Sequence, residues 1–189
     1  MREEAKHNSI FLVTGQVQGG KTSYLSELTE QLKQRDFKVA GFLAPGSFES
    51  VERSEIRLQN ILNGFELPMA SIRETPGWTR FRRFWFNPEA FRLGQEWITA
   101  SLKEGPDVIV IDEVGPMELE GSGWSESLEI LQHLPSLIQV WSVRESLIKA
   151  LGKRWNVPSS RMIHIEKTDL ALATEMISEM IQRYRVFKY

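Results

Sequence analysis

Short apolar runs, bounded by glycine, proline or polar turns, alternate along the chain with longer stretches whose apolar residues recur every three or four positions. The runs are "IFLVT" (10–14), "KVAGFLAP" (38–45), "DVIVIDE" (107–113), "LIQVWSV" (137–143) and "MIHI" (162–165). Nearly continuous apolar character predicts strands covered on both faces, as in a parallel sheet. The longer stretches predict helices. Leu25, Leu28 and Leu32 share one face over 21–35. "NPEAFRLGQEWITASLKEG" carries Asn87 as a cap, Pro88 at the first helical position, Glu89 in the first turn and Gly105 as terminator. "GWSESLEILQHL", "RESLIKALGKRW" and "TDLALATEMISEMIQRYR" predict three more helices. Strands alternating with helices imply right-handed crossovers and an α/β fold with a mainly parallel sheet flanked by helices.

Residues 46–86 break this rhythm. "EIRLQNIL" and "MASIRE" alternate weakly around a turn-like "NGFELP", and "RFRRFWFN" (80–87) alternates basic and aromatic residues. The segment reads as an antiparallel insertion beside the parallel core of one domain spanning 1–189.

Composition narrows the function classes. The 189 residues are 41% apolar and 25% charged, with a net charge of −2, and no long run of one sign occurs. That balance gives no support for a nucleic-acid or membrane-surface partner. "RFRRFWF" mixes bases and rings as single-strand binders do, but it is short and suits a half-buried edge strand equally well. The absence of cysteine excludes disulfides, thiolate metal sites and a cysteine nucleophile. With no signal-peptide core in "MREEAKHNS" and no membrane-length apolar run, the expected location is cytoplasmic. His7, His133 and His164 show no paired spacing, so a histidine metal site is not expected.

The chemistry begins at "GQVQGGKTS" (15–23), directly after the first strand. Gly15, Gly20, Lys21 and Thr22 match G-x-x-x-x-G-K-[ST]. Such a loop wraps a phosphate so that successive backbone N–H groups point inward, here those of Gly15, Gln16, Val17, Gln18, Gly19, Gly20, Lys21, Thr22 and Ser23. The helix starting near Lys21 aims its positive end at the same anion. Lys21 supplies a mobile cation for the β and γ phosphates, and the Thr22 hydroxyl is placed to hold Mg2+. A second signal is "VIVIDEVGPMELEG" (108–121), where an Asp–Glu pair leaves the C-terminal end of a strand, the edge at which open α/β sheets bind ligands. Asp112 is expected to hold the magnesium, and Glu113 to act as base toward a water in line with the γ phosphate. Glu118 reads equally as a metal- or water-positioning group or as a solvated loop acid.

With both motifs present, the chain resembles the THEP-type nucleoside-triphosphatases, called cancer-related nucleoside-triphosphatases in animals. The resemblance rests on "TGQVQGGKTSYL", "KVAGFLAP", "FNPEAFRLGQEWI", "DVIVIDEVGPMEL" and, more faintly, "VWSVRESLIKAL". It implies a RecA-like P-loop core with an added antiparallel section. It also implies slow, rather unselective hydrolysis of nucleoside triphosphates such as ATP and GTP to diphosphate and phosphate. Val17 and Gln18 depart from the family's usual Pro-Gly, and "GSFESVERSE" stands where members carry a glycine-rich turn.

An arginine often steadies the developing γ charge. Arg144, just after "LIQVWSV", is the preferred candidate, with Arg154, Arg80, Arg82 and Arg83 as rivals. "IEKTDLA" resembles a guanine-reading signature through Lys167 and Asp169, with Glu166 in place of asparagine, but Thr168 or Asp169 as a helix cap is the favoured reading. Two alternatives to hydrolysis stand beside it. A nucleoside or nucleotide kinase would need a second pocket and an arginine-rich lid, which 46–86 could supply. A nucleotide-gated interaction module would bind tightly with negligible turnover.

Overall fold

The protein was analysed as a computed structural model, which describes residues 9–16, 19–50, 52–134 and 136–186. Among these, ten strands form one sheet. Five are parallel: β1 (Ile10–Gly15), β2 (Val39–Leu43), β8 (Val108–Val114), β9 (Ile138–Arg144) and β10 (Met162–His164), in the order β10-β1-β9-β8-β2. The others, β3 (Gly46–Glu49), β4 (Glu52–Asn60), β5 (Glu66–Ser71), β6 (Thr79–Phe81) and β7 (Phe84–Phe86), continue it antiparallel from β2. The insertion expected at 46–86 is thus an extension of the same sheet. On β4 the alternation is clean, with Ser54, Ile56 and Leu58 buried between exposed Glu55 and Arg57.

Helices cover both faces of the parallel half. Side chains at Phe11, Val13, Val108, Val110, Ile138 and Val140 form one core with α1 (Lys21–Gln34) and α6 (Leu170–Val186). Leu25, Leu28 and Leu32 of α1 are fully buried there, and each contributes on the order of 1.5–3 kcal/mol. The alternate positions, including Leu12, Phe42, Ile111 and Trp141, form the second core. Against it pack α2 (Pro88–Lys103), α4 (Ser125–Leu131) and α5 (Ile148–Arg154). Asn87 caps α2 as expected, its side chain accepting from the Glu89 N–H at 3.0 Å.

Three local expectations change. "RFRRFWFN" is a hairpin, because Arg82 takes a left-handed φ of 54° and turns the chain between β6 and β7. The helix expected from residue 144 begins at Ile148, after a 3-10 turn over Glu145–Leu147, because β9 keeps Arg144 in extended geometry. "PMEL" forms a one-turn helix, α3 (Pro116–Leu119), which the turn residues Gly115 and Pro116 had concealed.

Candidate nucleotide site

β1 and its loop lie where the crossovers diverge: α1 carries the chain over β9 and β8 to β2, while α5 carries it from β9 back over β1 to β10. Such a switch point leaves a crevice at the strands' C-terminal ends. Gly20 opens α1 with φ 85°, a conformation that glycine adopts without strain. Gly15 is needed for a different reason, since a Cβ there would stand 2.6 Å from Ile165 Cγ1. The 165–169 loop is thereby pressed against the phosphate loop, and Glu166 Oε1 accepts the Gln16 N–H at 2.7 Å. Lys21 Nζ donates to the Gly15 and Gln16 carbonyls at 3.3 and 2.9 Å, which folds the ammonium over its own loop. Val17 and Gln18, expected to lend amides, lie outside the described residues.

Asp112 is 1% exposed. Its carboxylate accepts from the Ala44 N–H at 2.9 Å and from the Ser142 hydroxyl, and the Thr22 hydroxyl of the loop lies near enough to favour its charged form. Burial, reinforced by Glu113, pushes its carboxyl above the usual range, and these three donors oppose the shift. Burial also lowers the Lys21 ammonium, against the attraction of Glu113 and Asp112, while Arg144 lowers it further. The loop and the acidic strand end therefore share one site.

Glu113 occupies a bulge. From Ile111 to Val114 β8 advances three residues while β9 advances two, and Glu113 takes φ 62°. A left-handed φ in a non-glycine residue costs about 1–3 kcal/mol and is retained where surrounding structure enforces it. Strict alternation would send Asp112 and Glu113 to opposite faces of the sheet. The bulge instead lets Glu113 join Asp112 beside Lys21, where it ion-pairs with Arg53 from β4. Arg53 also donates to the Ala44 carbonyl at 2.6 Å and packs on Gly46.

Arg144 is exposed on the cavity wall that also holds Lys21, Thr22 and Glu113. Its rival Arg154 is engaged elsewhere, donating to the Leu119 carbonyl at 2.8 Å and pairing with Glu129 at 3.0 Å. Asp169 caps α6, its Oδ1 accepting the Leu172 N–H at 2.7 Å, which supports the cap over base reading. Glu118 is not a solvated acid. It is 2% exposed and accepts the Gly115 and Trp124 N–H groups at 2.6 and 2.9 Å, bracing the loop after β8. Arg53 and Ser142 were invisible in the sequence, because each acts on a partner brought from a distant segment; the Glu118 brace is local, but nothing in its loop shows that the acid is buried.

Burial pushes the Glu118 carboxyl from 4.5 up to about 7. The folded state thus holds that proton more tightly than the unfolded chain, so stability declines as pH rises from about 4.5 to about 7. Glu118→Gln is expected to flatten this decline, read as the difference between the melting temperatures of parent and variant across that window.

A glycine-rich strand–loop–helix cradle facing a buried carboxylate two strands away in the parallel sheet, with β9 between, defines a P-loop nucleotide-binding protein of the RecA-like α/β class. The chain belongs to the NTPase family, whose sequence profile matches residues 10–174. It is 32% identical to nucleoside-triphosphatase THEP1 of Saccharolobus solfataricus over 120 residues, which is 64% of this chain and 67% of that protein. It is 30% identical to the THEP1 of Korarchaeum cryptofilum over 97% of this chain and 86% of that one. The crystal structure of THEP1 from Aquifex aeolicus superposes with a TM-score of 0.65, covering 92% of this chain and 99% of that one at 20% identity, a likeness of fold.

Proposed function

We propose that the protein is a magnesium-dependent nucleoside-triphosphatase, converting ATP or GTP to diphosphate and phosphate. The observation that carries this is the meeting of the phosphate loop with the buried carboxylate of Asp112, where Thr22, Lys21 and Glu113 come together. The loop amides and Lys21 would bind the β and γ phosphates. One hydroxyl and one buried carboxylate form a hard-oxygen pair suited to Mg2+, which takes its remaining oxygens from phosphates and water. Among the described residues no cluster of three or more histidine or acidic side chains forms a self-sufficient metal cage. When bound, the ion neutralises phosphate charge. Thr22 and Asp112 would hold it.

Glu113 would accept a proton from a water as its oxygen attacks the γ phosphorus and the bond to the β–γ bridging oxygen breaks. Arg53 fixes the direction of that carboxylate, and Arg144 would face the charge developing on the γ oxygens. A panel of nucleoside triphosphates assayed for free phosphate tests the reading. Release is expected with magnesium, to disappear with chelator and to return on adding magnesium back. Release that persists in chelator would overturn the magnesium requirement, and no release from any triphosphate would overturn the activity. Among the described residues no helix is long and apolar enough to cross a membrane.

A further inference from the structure

The crevice does not end at the phosphate loop. It opens into a cavity of about 820 Å³ that runs from Lys21 and Thr22, past Glu113, to the antiparallel half of the sheet. Clefts of roughly 300–1,000 Å³ are the usual size of small-molecule sites. A continuous chain of contacts marks its path. Glu113 pairs with Arg53. Arg83 donates to the Arg53 carbonyl at 3.2 Å and lies over the Phe84 ring, 4.8 Å from its centroid. Phe84 meets Phe86 at 6.2 Å, Phe86 meets Phe91 at 5.9 Å and Phe91 meets Trp124 at 4.7 Å. Phe81 adds a further ring, 6.5 Å from Phe86.

This far end is separated from the 165–169 loop by the parallel strands. The 165–169 loop, pressed on Gly15, lies on the β10 side of β1. The aromatic chamber lies on the other side, beyond β2. Hydrolysis needs room only for water, so the chamber is surplus to it. Its chemistry is specific. The partly buried rings of Phe81, Phe86 and Phe91 offer stacking faces to a flat heterocycle, and Phe84 beside them is buried. Cations outnumber acids on the wall: Lys21, Arg53, Arg82, Arg83 and Arg144 against Glu52, Glu113 and Glu118. The acid partners of Arg82 and Arg83, Glu120 and Glu52, are more than half exposed, and such surface pairs exchange readily for a better anion.

We propose that this chamber is an acceptor site for a nucleoside monophosphate, its base among Phe81, Phe84 and Phe86 and its phosphate beside Arg83 and Arg53. An anionic acceptor oxygen attacks the γ phosphorus, the bond to the β–γ bridging oxygen breaks, and the departing diphosphate keeps that electron pair. The products are two nucleoside diphosphates, with no proton to remove. The inference rests on the triphosphate-binding reading above, but not on Glu113 as base.

The full chain is given γ-labelled ATP and magnesium, with AMP, GMP, CMP or UMP, or with the matching nucleosides as the arm lacking the anion. Label is read in free phosphate and in newly formed diphosphate. At least one monophosphate is expected to take up label, while its nucleoside does not, and free phosphate release falls as it binds. Phe81→Ala and Arg83→Ala are expected to lower transfer at least tenfold and to leave acceptor-free phosphate release within twofold. Because Phe81 and Arg83 are both partly or fully exposed, the two variants together guard against a folding artefact. Phosphate release with no label on any monophosphate would overturn the proposal and leave the hydrolase reading standing. Monophosphates that bind in calorimetry to the ADP-loaded chain without accepting label would overturn it as well. Transfer without acceptor-free release would instead overturn the hydrolase reading alone.

Discussion

Glu113→Gln is expected to bind triphosphate as the parent does and to release phosphate at least about a hundredfold more slowly, the usual contribution of a positioned base. The substitution keeps side-chain length and removes only the charge and the proton-accepting capacity. It also releases Arg53, whose Nε is already buried without a hydrogen-bond partner. The melting temperature therefore needs to be recorded alongside turnover. A variant that hydrolyses at the parent rate would remove Glu113 from the role of base. A variant that loses nucleotide affinity in proportion to turnover would show that Glu113 shapes the pocket instead. Single-turnover phosphate release with a fluorescent-nucleotide titration separates these outcomes.

Lys21→Ala is expected to lower kcat/KM about a hundredfold or more, the scale on which one positioned donor to a developing oxyanion acts. The stability of the free protein should hardly change, because the lysine's partners are two carbonyls of its own loop at the edge of solvent. Loss of activity with an unchanged melting temperature would therefore report phosphate binding. Burial and the nearby Arg144 both disfavour the charged ammonium in the free protein. The negative charge of a bound triphosphate would offset both effects, so substrate and protonated lysine are expected to favour one another. Retained kcat/KM in this variant would contradict the assignment of 15–23 as the phosphate cradle.

The parts of the site that could be read from the sequence are those built within one contiguous segment. "GQVQGGKTS" encodes a turn, a helix start and the proposed phosphate-binding groups together, and "VIVIDE" encodes a strand and the acids at its end. The parallel strands were legible for the same reason, since burial on both faces leaves an unbroken apolar run. Arg53 was not. It belongs to "VERSE", where flanking residues alternate between buried and exposed, and nothing local distinguishes an arginine aimed at Glu113 from one in water. Its partner lies 60 residues away and meets it only because β4 joins the sheet beside β2. Glu118 stayed undecided for the converse reason: an acid in a Gly-Pro loop reads equally as solvated or as a positioning group, and only the fold shows it buried on two backbone N–H groups. The hairpin over 79–86 hid behind alternation, which cannot show that the chain reverses in the middle of a pattern.

The bulge in β8 leaves the Glu113 amide with no strand partner. It donates instead to Asp112 Oδ1 and to the Ser142 hydroxyl, each at 2.9 Å. Its solvent-exchange rate and chemical shift therefore answer to the occupancy of the Asp112 carboxylate. A cation drawn onto that carboxylate would register at this backbone proton, as at the Ala44 N–H on the other oxygen, which makes the pair an intrinsic spectroscopic gauge of site loading that requires no label in the pocket.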